Sequence, residues 1–137
     1  MLSDKIEIYF DSFEAKERSV LSKFHQLIMK NDPKVKCVIA RVMSIERALI
    51  YQEEGVFKYA LAKTKGYFTL HNMIMYAYPE VKRVLDPDTK NLKGLKFQKG
   101  CINFKTAEDF PLDLFGEFIR KSAQMDFSRI IARYKKQ

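Results

Sequence analysis

Ala48-Leu49-Ile50-Tyr51, Val56-Phe57-Lys58-Tyr59-Ala60-Leu61-Ala62 and Tyr67-Phe68-Thr69-Leu70-His71 are the runs on which the fold turns. All three are rich in aliphatic, β-branched and aromatic residues, and the third alternates as a half-buried strand does. Gln52-Glu53-Glu54-Gly55 separates the first two, with a glycine placed for a positive φ. Thr64-Lys65-Gly66 separates the second from the third. Runs of this length joined by short glycine-bearing turns predict an antiparallel meander of three strands. A fourth strand, Cys101-Ile102-Asn103-Phe104-Lys105, is expected later, entered across Gly100 by a turn or bulge.

Helical patterns flank this centre. Residues 3–30 hold no Gly or Pro, and Ser3 is placed to cap, with Asp4 and Glu7 in the first turn. Ile6, Tyr9, Phe10 and Phe13 form one apolar stripe, and Val20, Leu21, Phe24, Leu27 and Ile28 another. The phase slips near Ser12–Lys16, which predicts a short helix and then a long one ending at Asn31-Asp32-Pro33. Asp32 and Pro33 in turn look like the cap and first residue of a further helix over 33–44, with Val35, Val38, Ile39 and Val42 on one stripe. Beyond the meander, Asn72 is placed to cap a helix that Pro79 divides into two short pieces. Asp86-Pro87-Asp88-Thr89 reads as a loop. Pro111 opens the last helix, with Asp109 as its expected N-cap and Leu114, Phe115, Phe118, Ile119, Ser122 and Met125 facing inward. Ile130, Ile131 and Tyr134 are in phase to extend it, and the basic end of 130–137 is expected to fray. Helices, then strands, then a strand enclosed by helices make an α+β protein. The expected architecture is a single domain over 1–137, with N- and C-terminal helices packed on an antiparallel sheet of about four or five strands.

The chain's 137 residues are 47% hydrophobic and 31% charged, a globular balance. No apolar stretch is long enough to cross a membrane, and the N-terminus is charged within a few residues, so a cytoplasmic location is the expectation. The net charge is +8. Residues 33–66 and 80–105 each hold seven basic and three acidic residues, and so between them carry the whole excess. Such a balance suits either a solvated lysine-rich surface or attraction to phosphates, nucleic acid or acidic partners.

Catalytic signatures are missing. Two histidines, His25 and His71, and two cysteines, Cys37 and Cys101, have no metal-ligand spacing, and no serine-nucleophile elbow or phosphate loop occurs. The cysteines read as free thiols, with Cys101 beside Lys99 open to a lowered pKa. No cofactor is expected. Asp4, Glu7 and Asp11 repeat at helical spacing, as do Glu14 and Glu17, so an acidic ridge is available to a hard cation. Lys90, Lys93, Lys96, Lys99 and Lys105, interleaved with Phe97 and Phe104, have the composition of surfaces that stack bases.

From Ala48 onward the chain resembles a known family. Ala48–Lys63, Tyr67-Phe68-Thr69-Leu70-His71-Asn72-Met73, Lys99-Gly100-Cys101-Ile102-Asn103-Phe104-Lys105 and Phe110-Pro111-Leu112 are similar to the YdhG-like bacterial domain. Some members of that family are described as frataxin-like intracellular iron chaperones. The resemblance implies a meander, a histidine-bearing strand and a C-terminal helix, and it admits an iron role through Glu14, Glu17 or His71. The chain departs from the family in its basic charge. It also has Tyr51-Gln52-Glu53-Glu54-Gly55-Val56-Phe57 where a Gly-Met-Pro element is often found. The functional expectation is a small non-enzymatic binding or chaperone-like module, monomer or homodimer, taking a small ligand or protein partner. An iron carrier and nucleic-acid binding through residues 90–105 are the alternatives, the latter disfavoured. The candidate binding residues are Tyr59, Tyr67 and His71 on one sheet face, bordered by Lys99.

Overall fold

The computed structural model describes residues 4–86 and 92–135. Six strands form one antiparallel sheet in the order β1-β2-β3-β4-β6-β5. They are β1 (Lys36–Val42), β2 (Ile45–Glu53), β3 (Val56–Thr64), β4 (Tyr67–Asn72), β5 (Lys96–Phe97) and β6 (Cys101–Phe104). The helices are α1 (Asp4–Asp11), α2 (Ala15–Asn31), α3 (Met73–Ala77), α4 (Leu112–Ala123) and α5 (Ser128–Lys135), with 3-10 turns at Pro79–Leu85 and Ala107–Asp109. The α+β class is as expected, with more strands than the four or five anticipated.

The meander forms where it was read, and grows by one strand at its start. Glu54 and Gly55, at φ 51° and 78°, make the tight turn from β2 to β3. Both central residues at positive φ match the right-handed strand twist. β1 replaces the helix expected over 33–44. Val35, Val38, Ile39 and Val42 have helical spacing, but their branched β-carbons favour a pleated surface, and β1 pairs with β2 from Lys36↔Gln52 to Val42↔Ile45. Asp32 therefore caps no helix there.

The helix break was correctly placed, since α1 ends at Asp11 and α2 begins at Ala15. Asn72 caps α3 as expected, its Oδ1 accepting from the N–H groups of Ile74 at 2.8 Å and Met75 at 3.1 Å. Pro79 then divides the segment as anticipated. Asp109 is not the cap of α4, where Pro111 holds that position. Its carboxylate instead accepts from the Lys105 and Thr106 N–H groups, both at 3.1 Å, closing a capping box over Ala107–Asp109. The last helix is two helices. It breaks at residues 124–127, where Asp126 accepts from the Ser128 N–H and Oγ and starts α5 afresh. Residues 130–135 are thus the body of α5, with Ile131 packed inward. The expected Ser3 cap, most of the 86–89 loop, Lys90 and the last two residues lie outside the described residues.

The two faces of the sheet are unlike. Leu49, Leu61, Leu70 and Ile102 lie in register across four strands and pack against α1, α2 and α4 in one large core. Phe24, Phe104, Phe110 and Phe115 interlock there with ring centroids 4.4–5.9 Å apart. The opposite face carries a small second cluster of Val42, Ala48, Ile50, Ala60 and Ala62, with Ile45 and Phe57 packed on it, all from strands. Among the described residues no helical side chain joins it. Thr69, His71, Cys101 and Asn103 continue this helix-free face across β4 and β6.

Candidate binding surface

The four residues singled out from the sequence do not converge. Tyr59 is on the helix-covered face, fully buried, with its hydroxyl donating to Asp32 Oδ2 at 2.7 Å. Burial and the adjacent Asp32 carboxylate push its pKa far above the ordinary tyrosine value. His71 pairs with Ala60, the next residue along β3, and so points to the other face. Tyr67 and His71 do share the helix-free face, but at opposite ends of β4. Lys99 is exposed in the tight turn from β5 to β6, closed by the Gln98 N–H donating to the Cys101 carbonyl at 2.8 Å.

Tyr67 does meet part of the basic segment. A recess of about 390 Å³ at the start of β4 is lined by Tyr67, Lys93, Lys96, Asn103 and Lys105, together with Gly94, Phe104 and Asp109. Buried Leu92 and Leu95, linked by the Leu95 N–H donating to the Leu92 carbonyl at 3.3 Å, anchor the approach and turn Lys93 and Lys96 outward. Gly94 lies so close against the Asp109 carboxylate that a side chain there would strike it. That contact sets the loop against the 107–109 turn that follows β6. Asp109 is the one acid in the lining, and its Oδ2 already holds two backbone N–H groups. The wall is thus three ammonium groups, a phenol and an amide. These are donors that suit oxyanions.

A second polar cluster escaped sequence reading. Lys58 is 0% exposed, and its Nζ donates to Asp32 Oδ2 at 2.7 Å and Glu53 Oε1 at 2.6 Å. The β2–β3 register steps from Tyr51↔Tyr59 to Gln52↔Phe57, so Lys58 is the extra residue of a β-bulge and turns inward beside Tyr59. The Phe127 ring lies 5.1 Å from Nζ and completes the enclosure. Enclosed in this way, Lys58 keeps no exposed side-chain surface. The cluster ties the end of α2 to the middle of the sheet. Its signal in the sequence was one charge inside a seven-residue apolar run.

Burial perturbs further titratable groups. His25 Nδ1 is hydrogen-bonded to the buried Tyr51 hydroxyl at 2.7 Å, and burial lowers its pKa to about 4. Burial pushes the Cys37 thiol up to about 12, and it also raises Cys101, against the lowered value considered from the neighbouring lysine. The iron ligands suggested by resemblance are separated. Glu14 is exposed at the start of α2, and Glu17 pairs with Lys63 at 3.3 Å, whereas His71 is on the other side of the sheet. Among the described residues no group of three or more His, Cys, Asp or Glu stands ready to hold a metal. No helix among them is long and apolar enough to cross a membrane.

Fold and surface together define an α+β protein with a one-sided sheet and a basic, aromatic recess at one sheet end. No family model, no curated protein and no solved structure matches this chain.

Proposed function

We propose that this chain is a small, non-enzymatic binding module of the bacterial cytoplasm, of the YdhG-like kind, that holds a compact polyanion in the Tyr67 recess. The observation that carries the reading is that recess. It joins Tyr67 of the meander to Lys93, Lys96 and Lys105 of the basic segment around one cavity of about 390 Å³. Cavities of this order hold small ligands, and lysines act there as point charges on flexible stems. The raised thiol pKa values support a binding role over a nucleophilic one.

Calorimetric titration with inorganic tripolyphosphate tests this. Binding is expected to weaken at least tenfold in a Lys93→Gln, Lys96→Gln, Lys105→Gln variant and to fall as salt is raised. Absence of heat at millimolar ligand, or equal affinity in the variant, refutes the reading. The same wall favours a single-stranded nucleic acid as the second reading, since Tyr67 offers a ring beside the charges. An oligonucleotide that outcompetes tripolyphosphate, with a steep salt dependence, selects it.

A further inference from the structure

A different part of the surface has the chemistry of a nucleotide site. α5 runs Ser128-Arg129-Ile130-Ile131-Ala132-Arg133-Tyr134-Lys135, with three basic residues and no acid. Arg129 and Arg133 are four residues apart and so lie on one stripe of the helix. Together with α3 that stripe bounds a groove of about 420 Å³, with Tyr76 and Tyr134 among its walls and Met73 and Ile130 half-buried in it. No acidic residue lines it.

Three observations separate this groove from an ordinary gap between helices. First, Tyr76 is 58% exposed and Tyr134 47%, so two aromatic rings stand in water beside an apolar floor. Second, among the described residues neither guanidinium has an ion-pair partner, although four lysine–carboxylate contacts form elsewhere. The nearest acid in sequence, Asp126, feels the Arg129 charge, but its Oδ1 is held by the Ser128 N–H and hydroxyl at 2.9 and 2.6 Å. Third, the groove is held open by its own framework. The Tyr78 hydroxyl donates to the Asp126 carbonyl at 2.7 Å, fixing the start of α5 against the segment after α3. Gly100 packs beneath the Tyr76 ring, where a β-carbon would lie 3.7 Å from it.

We infer that this groove binds a nucleoside phosphate, the base stacked against Tyr76 or Tyr134 and the phosphates held by Arg129 and Arg133. Exposed rings accept any base face, and planar guanidinium forks match phosphate oxygens in pairs. The volume suits one nucleotide. Inorganic phosphate alone leaves the rings and apolar floor unused. The site is separate from the Tyr67 recess and does not depend on it.

The chain has seven Tyr and no Trp, and three of the Tyr line the groove, so tyrosine emission reports stacking there. Titration with adenosine diphosphate is expected to quench that emission in a saturable way. The pair Tyr76→Ala with Tyr134→Ala and the pair Arg129→Gln with Arg133→Gln are each expected to weaken binding at least tenfold by calorimetry, with circular dichroism unchanged. The Lys93→Gln, Lys96→Gln, Lys105→Gln variant is expected to bind as the parent does. Arg133→Lys keeps the charge but loses the fork, and is expected to recover only part of the affinity. A short oligoadenylate that binds more tightly, and is weakened by the same substitutions, places the nucleoside phosphate in a strand and supports the site. Pyrophosphate binding as tightly as adenosine diphosphate overturns it. So does the absence of saturable quenching with either nucleotide form, or quenching that the α5 substitutions leave unchanged.

Discussion

The two faces of the sheet share every backbone hydrogen bond and differ in almost everything else. Leu49 and Ile50 are successive residues of β2, both buried, one on each face. Among the described residues, Leu49 enters a core of 28 buried side chains, whereas Ile50 belongs to a cluster of five buried residues floored by Ala48, Ala60 and Ala62. Alternation of large and small residues sets the difference. On one side the strands present rings and branched chains that helices must cover, and on the other they present methyl groups that Ile45, Ile50 and Phe57 can close over. A face finished this way needs no helix, and it is where Tyr67 and His71 project.

The buried charges give the sharpest contrast between the faces. Lys58, Asp32 and Tyr59 are wholly enclosed on the covered side, and no buried side-chain polar atom among the described residues lacks a partner. Removing one member strands the others. Asp32→Ala is expected to cost about 3–5 kcal/mol, measured by urea unfolding, because Lys58 and the Tyr59 hydroxyl then share a buried site with too few acceptors. Lys58→Met combined with Asp32→Leu is expected to be less damaging than Asp32→Ala alone, since the lone charge is removed together with its partner. Additive losses would show that the cluster is not coupled. His71→Ala on the other face is expected to stay within about 0.5 kcal/mol of the parent.

Leu49 and Ile50 sharpen the comparison with apolar residues alone. Leu49→Ala is expected to cost about 3–5 kcal/mol, because helices above it hold a cavity in place. Ile50→Ala is expected to cost about 2 kcal/mol, close to the transfer free energy of the deleted methylenes with little cavity left behind. Equal losses would mean that the helix-free face is covered in solution, by a second copy or another partner. A protein-concentration dependence of the unfolding midpoint would identify the second copy.

Much of this was legible in the sequence, and the failures have physical reasons. The meander was readable because Gly55 and Gly66 punctuate long β-favouring runs, and the α1–α2 break because the apolar phase slips. Residues 33–44 misled because Val35, Val38, Ile39 and Val42 satisfy helical spacing while their branching favours a strand. Only the ladder to β2 decides between the two. The grouping of Tyr59 with Tyr67 and His71 failed for a related reason. Period-2 alternation carries a strand's face reliably, but pairing Ala60 with His71 puts Tyr59 on the far side. Lys58 was invisible as an interior charge because a β-bulge, which no local pattern announces, turns it inward. The groove of Arg129 and Arg133 needed the break at residues 124–127, which frees α5 from the line of α4 and lays it along α3.

The two histidines let pH separate the faces as well. His25 is enclosed on the covered side by the Tyr51 hydroxyl and the edge of the Phe10 ring, and His71 sits half-buried on the helix-free side. Burial lowers both pKa values, that of His25 to about 4. The unfolded chain protonates either histidine near 6.5, so below that pH it takes up protons that the folded protein refuses. The stability contributed by a neutral His25 is therefore complete above pH 6.5, declines as pH falls, and is gone once pH passes about 4. Between pH 6.5 and 5, above the range of ordinary carboxylates, the loss from His25 is expected to reach about 2 kcal/mol. Unfolding free energies measured across that window for the parent, His25→Gln and His71→Gln proteins check this. His25→Gln is expected to remove most of the slope, and His71→Gln to leave most of it. The reverse assignment would place the tighter enclosure on the helix-free face and undo the distinction between the two sides of the sheet.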